Sequence, residues 1–177
     1  MFVERGVEGT SIEQIARRAG VAKLTVYRRW KSKEELIAQA IDAARVRLAG
    51  TAETSLDGVD DLPVRELVAA IVPDVAVSLA RPELRALIAR TLGVTVSHPE
   101  LARVYWQHHS QPRRQATRAL LERAKREGIL AEHIDPDVLM DMINGAVIHR
   151  LLQPDPPDAA EMREYLTKVY RQVGLLP

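Results

Sequence analysis

Residues 10–36, TSIEQIARRAGVAKLTVYRRWKSKEEL, hold two helix starts and one helix stop in close succession. Thr10 with Glu13, and Ser32 with Glu35, have the spacing of a capping box, in which a hydroxyl and a carboxylate satisfy the first free N–H groups of a helix. Gly20 stands where the first helix must end. Ile12, Ile15, Ala16 and Ala19 share one helical face, and Val26 and Trp30 lie one turn apart on a short second helix from about Lys23 to Trp30. Leu36, Ile37, Ala40, Ile41, Ala44 and Leu48 carry a third helix as far as Gly50. Elements this short and this firmly capped leave a helix-turn-helix and a third packed helix as the fold of the segment.

The rest of the chain follows the same period. After the polar connection TAETSLDGVDDLP, apolar residues recur at Leu67, Val68, Ile71, Val72, Val75 and Leu79, with Pro73 expected to kink that helix or break it in two. Pro82 and Pro99 suit first-turn positions. Pro112 is expected to bend the segment from Pro99 to Glu127, Asp135-Pro136 opens another helix, and QPDPPD ends it. Met162, Tyr165, Leu166, Val169, Tyr170 and Val173 form a final helical stripe. No alternating strand pattern appears, so the fold class is all-α, in two parts: residues 1–50 and residues 51–177.

Composition narrows the class. The chain is 46% hydrophobic and 28% charged, with one Phe, two Trp and four Tyr, so the core must be mostly aliphatic. It has no Cys, which removes disulfide and thiolate chemistry. No apolar run approaches the roughly 20 residues that span a bilayer, and Glu4 and Arg5 interrupt any signal-like start, which together suggest a cytoplasmic protein without a membrane partner.

Charge is unevenly placed. Residues 1–50 hold 10 Lys and Arg against 6 Asp and Glu, whereas residues 51–177 hold 15 against 18. From Gln14 to Lys33 there are seven cations (Arg17, Arg18, Lys23, Arg28, Arg29, Lys31, Lys33) and no acid. A run like this can be a solvated face. On the second helix of a helix-turn-helix, with Lys23, Thr25, Tyr27, Arg28 and Arg29 outward and Val26 and Trp30 inward, it matches what docking in a DNA major groove requires.

ERGVEGTSIEQIARRAGVAKLTVYRRWKSKEELI resembles the DNA-binding segment of the tetracycline-repressor-like (TetR) family of bacterial regulators. The resemblance rests on Glu4-Arg5-Gly6, Gly9-Thr10-Ser11-Ile12, Ile15-Ala16, Ala19-Gly20-Val21, Thr25-Val26-Tyr27 and Ser32-Lys33-Glu34 with Leu36. It implies a homodimeric repressor of a palindromic double-stranded operator, released by a small-molecule effector bound in a C-terminal helical body. By the same resemblance Thr10 and Ser11 contact phosphate, Lys23 and Leu24 read base edges, Thr25 and Tyr27 give phosphate-contacting hydroxyls, and Arg28, Arg29 and Lys33 grip the backbone. The family begins with an apolar helix of about a dozen residues before Phe2, of which MFVERG matches the last turn, so the chain as given is expected to lack most of that helix. Leu24 stands where a small residue or Pro is common, and Ala22 replaces the frequent Ser at the recognition-helix N-cap. The missing support motivates a second reading, an all-α dimerisation or scaffold protein with a non-functional DNA-binding head.

In the body, a wheel of residues 137–152 puts Asp137, Asp141 and Asn144 on one polar side and apolar residues nearly everywhere else. That helix and the last are expected to form a dimeric four-helix bundle through Met142, Ala146, Arg150, Met162, Tyr165, Leu166, Val169 and Tyr170. Arg150 has three readings: a partner across the dimer, an anionic ligand, or an aliphatic stem whose head reaches water at a helix C-terminus. Tyr105, Trp106, His109 and Ile143 are the candidate ligand-binding residues, since relatives line their cavity here. The alternative is a core stripe of Leu101, Val104, Tyr105 and His108. Adjacent histidines on a helix point about 100° apart, so a metal site at His108-His109 is not expected, nor is any cofactor. No metalloprotease, nucleophile-elbow or phosphate-loop motif appears, which argues against an enzyme.

Overall fold

A computed structural model describes residues 2–50 and 62–177. Its helices are α1 (Phe2–Arg5), α2 (Ile12–Ala19), α3 (Lys23–Arg29), α4 (Lys33–Ala49), α5 (Val64–Leu79), α6 (Pro82–Ser97), α7 (Pro99–Tyr105), a π turn (Trp106–Ser110), α8 (Gln111–Arg126), α9 (Pro136–Leu151) and α10 (Ala159–Gln172). The all-α expectation holds across the described residues. The polar connection after Gly50 falls almost wholly outside them.

The chain gathers into two compact units. One comprises Met1–Arg45 with Ala86–Pro112, and the other Val46–Arg85 with Arg113–Pro177. The division between these units falls inside α4, α6 and α8. In the first unit Val7, Ile12, Ala16, Val26, Ile37, Ile41, Leu87, Val94 and Leu101 are buried. In the second, α10 packs chiefly on α5 and also meets α9. Val64, Leu67, Val72, Leu121, Leu139, Leu151, Met162 and Leu166 supply its core.

Pro73 does not divide its helix, because α5 runs unbroken through it. Pro82 and Pro99 open α6 and α7 as expected. The disturbance expected at Pro112 is displaced upstream: the Gln111 N–H bonds to Trp106 O, five residues back, and residues 106–110 form a π turn. Proline at 112 has no N–H and its ring would crowd the carbonyl four residues earlier, so a locally widened turn accommodates it.

Three helix starts in the second unit have side-chain caps, one of them the Asp158–Glu161 capping box of α10. Asp135 caps α9, accepting from the N–H groups of Asp137 (2.8 Å) and Val138 (3.2 Å), with Pro136 in the first turn. The N-cap of α5 is Pro63, whose side chain has no hydrogen-bonding group, and the cap comes from the residue after α8: Val64 N–H donates to Glu127 Oε2 at 2.8 Å while Arg123 Nε donates to Oε1 at 2.7 Å. The Val64 N–H first, and Arg123 second, hold the Glu127 carboxyl below the ordinary glutamate range. A carboxyl depressed by folding stabilises above its unfolded titration range and loses that contribution as pH falls through the folded value. Glu127→Gln is accordingly expected to melt below the wild type at pH 7 and to converge with it in acid, as read by circular dichroism melts across pH.

Candidate nucleic-acid interface

The helix-turn-helix is built from α2 and α3. Ser11, not Thr10, caps α2: Gln14 N–H donates to Ser11 Oγ at 3.2 Å, and Ser11 N–H donates to Gln14 Oε1 at 3.2 Å. Thr10 is only 2% exposed and donates its hydroxyl to Gly6 O at 2.8 Å. Its expected hydroxyl contact to phosphate is therefore corrected, because that group closes the turn before α2. Gly20, at φ 67°, ends α2, with its N–H on Arg17 O (3.3 Å) and the Val21 N–H on Ala16 O (3.0 Å). A left-handed residue is needed for this pair of bonds, and glycine takes that conformation without Cβ strain.

On α3 only Val26 is buried. Lys23, Leu24, Thr25, Tyr27, Arg28 and Arg29 are all exposed, with Leu24 at 63%. Ala22 is the N-cap and gives no side-chain bond, as expected. Trp30 ends the helix half-buried rather than in the core. Its indole N–H donates to Gln39 Oε1 at 2.6 Å, and the Arg29 guanidinium lies 5.1 Å from its ring. Lys33 is not simply outward: its Nζ donates to Val7 O at 3.1 Å and ties α4 to the turn after α1.

One acidic partner escaped the charge count because it precedes the basic run. Glu13 on α2 forms an ion pair with Lys23, which also sits 5.6 Å from the Tyr27 ring centroid. Their mutual hydrogen bond lowers the Glu13 carboxyl and raises the Lys23 ammonium from their ordinary values. Both groups are exposed, so the pair is screened by solvent. On a DNA-bound head, Glu13 would both occupy Lys23 and set a negative charge beside phosphates. Glu13→Gln is expected to raise DNA affinity about two- to five-fold at low salt, with a smaller gain at high salt, in anisotropy titrations.

The candidate ligand residues fall in both compact units. Tyr105 and His109 stack with ring centroids 5.6 Å apart, and His109 Nδ1 lies 3.2 Å from Asp42 Oδ2 of α4. Trp106 is exposed, and Ile143 belongs to the other compact unit. Two clefts are described: one of about 580 Å³ in the first unit, against α6, and one of about 260 Å³ against α5 and α10. None of Tyr105, Trp106, His109 and Ile143 lines either one.

The candidate dimer residues divide. Met142 is 60% exposed. Ala146, Arg150, Tyr165, Val169 and Tyr170 are half-buried, and burial raises the Tyr170 phenol. Met162 and Leu166 are buried within the protomer, Leu166 at 1% exposure, which corrects their assignment to a dimer seam. Arg150 lies with its guanidinium 5.7 Å from the Tyr165 ring and Nη1 2.6 Å from Gln153 Oε1, while its Nε is buried without a partner among the described residues. The acidic side of α9 proves structural, because Arg114 and Arg118 of α8 pair with Asp137 and Asp141.

Known proteins share this arrangement. Residues 60–169 match the family described as tetracyclin repressor-like, C-terminal domain, and residues 1–40 match bacterial regulatory proteins, tetR family. The chain belongs to the TetR family. Its relatives include the HTH-type transcriptional regulator YdeS of Bacillus subtilis (strain 168), 30% identical over 157 residues that cover 86% of this chain and 73% of YdeS. Among solved structures, the TetR family transcription regulator SCO0332 superposes with a TM-score of 0.67 at 29% identity, covering 97% of this chain and 91% of that one. FadR from Bacillus subtilis, solved in complex with stearoyl-CoA, has the same fold at 18% identity, with a TM-score of 0.69 and coverage of 98% and 91%. The two family matches fall on either side of residue 50, although the compact units do not divide there. This TetR-family chain is a helix-turn-helix transcriptional regulator. Among its described residues no helix is long and apolar enough to cross a membrane.

Proposed function

We propose that the chain is a homodimeric, ligand-responsive repressor that binds a palindromic operator and leaves it when a small molecule binds. The carrying observation is α3, which buries Val26 alone and leaves Lys23, Leu24, Tyr27, Arg28 and Arg29 outward. A major-groove helix needs that one-sided anchoring. Lys23 and Leu24, at the start of α3, read base edges. Thr25, Tyr27, Arg28 and Arg29 position the helix on phosphates, joined by the cap of α2 at Ser11. Lys33 contributes through the turn it clamps as well as through its charge.

Support for the dimer comes from α9. Val138, Met142, Gly145, His149 and Leu152 are all exposed and recur at i, i+4, i+7, i+11 and i+14, one stripe on one face. A second copy of α9 covers such a stripe isologously and sets two recognition helices on one DNA. Family membership supports a ligand response, and the similarly folded FadR from Bacillus subtilis was solved in complex with stearoyl-CoA.

The test is a gel-shift titration of the full chain against DNA upstream of its own gene, repeated across salt concentrations. Specific binding should weaken linearly in log–log form by counterion release. Arg28→Ala removes one phosphate contact per protomer, so the dimer's slope should flatten by about 2. Lys23→Ala should also relax sequence preference. A chain that treats its upstream DNA and random DNA alike would favour the scaffold reading instead.

A further inference from the structure

Among the described residues of 2–45, the large apolar side chains left exposed are Val21 (41%), Leu24 (63%) and Tyr27 (45%). All of them fall between the turn after α2 and the middle of α3. Single exposed leucines are ordinary on a protein surface, but this segment otherwise tucks its aliphatic side chains away, with Ile12, Val26, Leu36, Ile37 and Ile41 all buried. Leu24 is two positions before Val26, the one buried residue of α3, and so points about 200° around the helix from it. It therefore stands opposite the anchored side, in the first turn of α3, the end of a recognition helix that meets base edges.

The surroundings of Leu24 fit a polyanion. Arg17, Arg18, Arg28 and Lys31 are exposed around it, and Arg28 follows it by four positions along the same line of α3. Lys23, its neighbour, is already engaged, ion-paired to Glu13 and 5.6 Å from the Tyr27 ring centroid. Leucine has no donor or acceptor. The major groove presents ring nitrogens, carbonyl oxygens and amino groups, together with one apolar feature, the 5-methyl of thymine. Leucine against a polar base edge strips water from it and returns no hydrogen bond. Leucine against the methyl removes apolar surface of both from water.

We propose that Leu24 is a specificity-determining residue that seats on the 5-methyl group of one thymine in each half-site. The proposal deepens the reading of α3 as a base-reading helix and rests on it, naming the base and the group that is read. Arg28, one turn further on the same line, holds the phosphate backbone alongside. Val21, in the turn that enters α3, adds a second exposed apolar group at this end of the helix. Lys23 and Leu24 point about 100° apart, so they read different base pairs. Thymine is preferred over cytosine at the Leu24 position, because cytosine lacks the methyl and presents an amino donor that leucine cannot satisfy.

The experiment uses the duplex that the full chain enriches from a random library. Symmetry-related thymines are replaced pair by pair with deoxyuridine, which keeps the base pair and removes the methyl alone, and binding is read by anisotropy at one salt concentration. One such pair is expected to weaken binding about fifteenfold, about fourfold for the buried methyl of each half-site. Leu24→Ala should bind the thymine and uracil duplexes within about twofold of each other, as a cycle does when the contact is gone. Its salt slope and circular dichroism spectrum should match the wild type, since Leu24 is exposed and uncharged. Leu24→Met, which keeps an apolar tip, should retain most of the discrimination. At the sensitive position 5-methylcytosine should bind more tightly than cytosine in the wild type and equally in Leu24→Ala. Wild-type indifference to every uracil pair, or discrimination that persists in Leu24→Ala, overturns the thymine seat and leaves the repressor reading standing. A library recovered without enrichment overturns both.

Discussion

Met142→Glu is expected to convert the dimer to the 19.8-kDa protomer and to weaken operator binding at least about 100-fold. Met142 sits near the middle of the exposed α9 stripe, flanked by Val138 and Gly145. In an isologous pair each substitution appears twice, so two carboxylates would face an apolar seam and each other. The protomer loses little packing, because Met142 is exposed within it. The DNA penalty follows from linkage of half-sites: a dimer's second recognition helix binds at an effective concentration that adds two to four orders of magnitude to affinity. Light scattering at micromolar concentration reads the first effect and anisotropy the second. A Met142→Glu protein that stays dimeric and binds operator normally would place the seam elsewhere.

Leu166→Ala is expected to cost about 2–5 kcal/mol of unfolding free energy, as full truncation of a buried leucine does. Leu166 lies on α10, which packs chiefly against α5 of the same chain. The loss should therefore be as large in the monomeric Met142→Glu background as in the wild type, since the two residues act at separate sites. Urea titrations of the four proteins in that cycle read this directly. A loss confined to the dimeric background would return Leu166 to the seam from which burial removes it.

These two residues show where periodicity is informative and where it stops. The stripe of Met162, Leu166 and Val169 was legible because helical spacing puts them on one face. Spacing does not say what covers that face, and here α5 covers much of it. The helix-turn-helix was legible almost residue by residue, because its signals are local: a cap, a glycine and one inward valine. The misplacement at its start is also local. Thr10 with Glu13 and Ser11 with Gln14 offer competing capping boxes, and the chain uses the second. That choice leaves the Thr10 hydroxyl to close the Gly6 turn and leaves Glu13 to reach Lys23. The π turn was foreshadowed by Pro112, but its place upstream depends on where the ladder yields. The cleft against α6 had no sequence signal, because its walls are some eighty residues apart and each is unremarkable alone.

The central claim is that α3, presented twice by a dimer, reads DNA. The most direct measurement is selection of bound sequences from a random duplex library by the full chain, followed by sequencing. The expected result is an inverted repeat with two equivalent half-sites, whose enrichment disappears in Met142→Glu and loses base preference within each half in Lys23→Ala. Recovery of the library without enrichment, or of a single site with no internal symmetry, would contradict it.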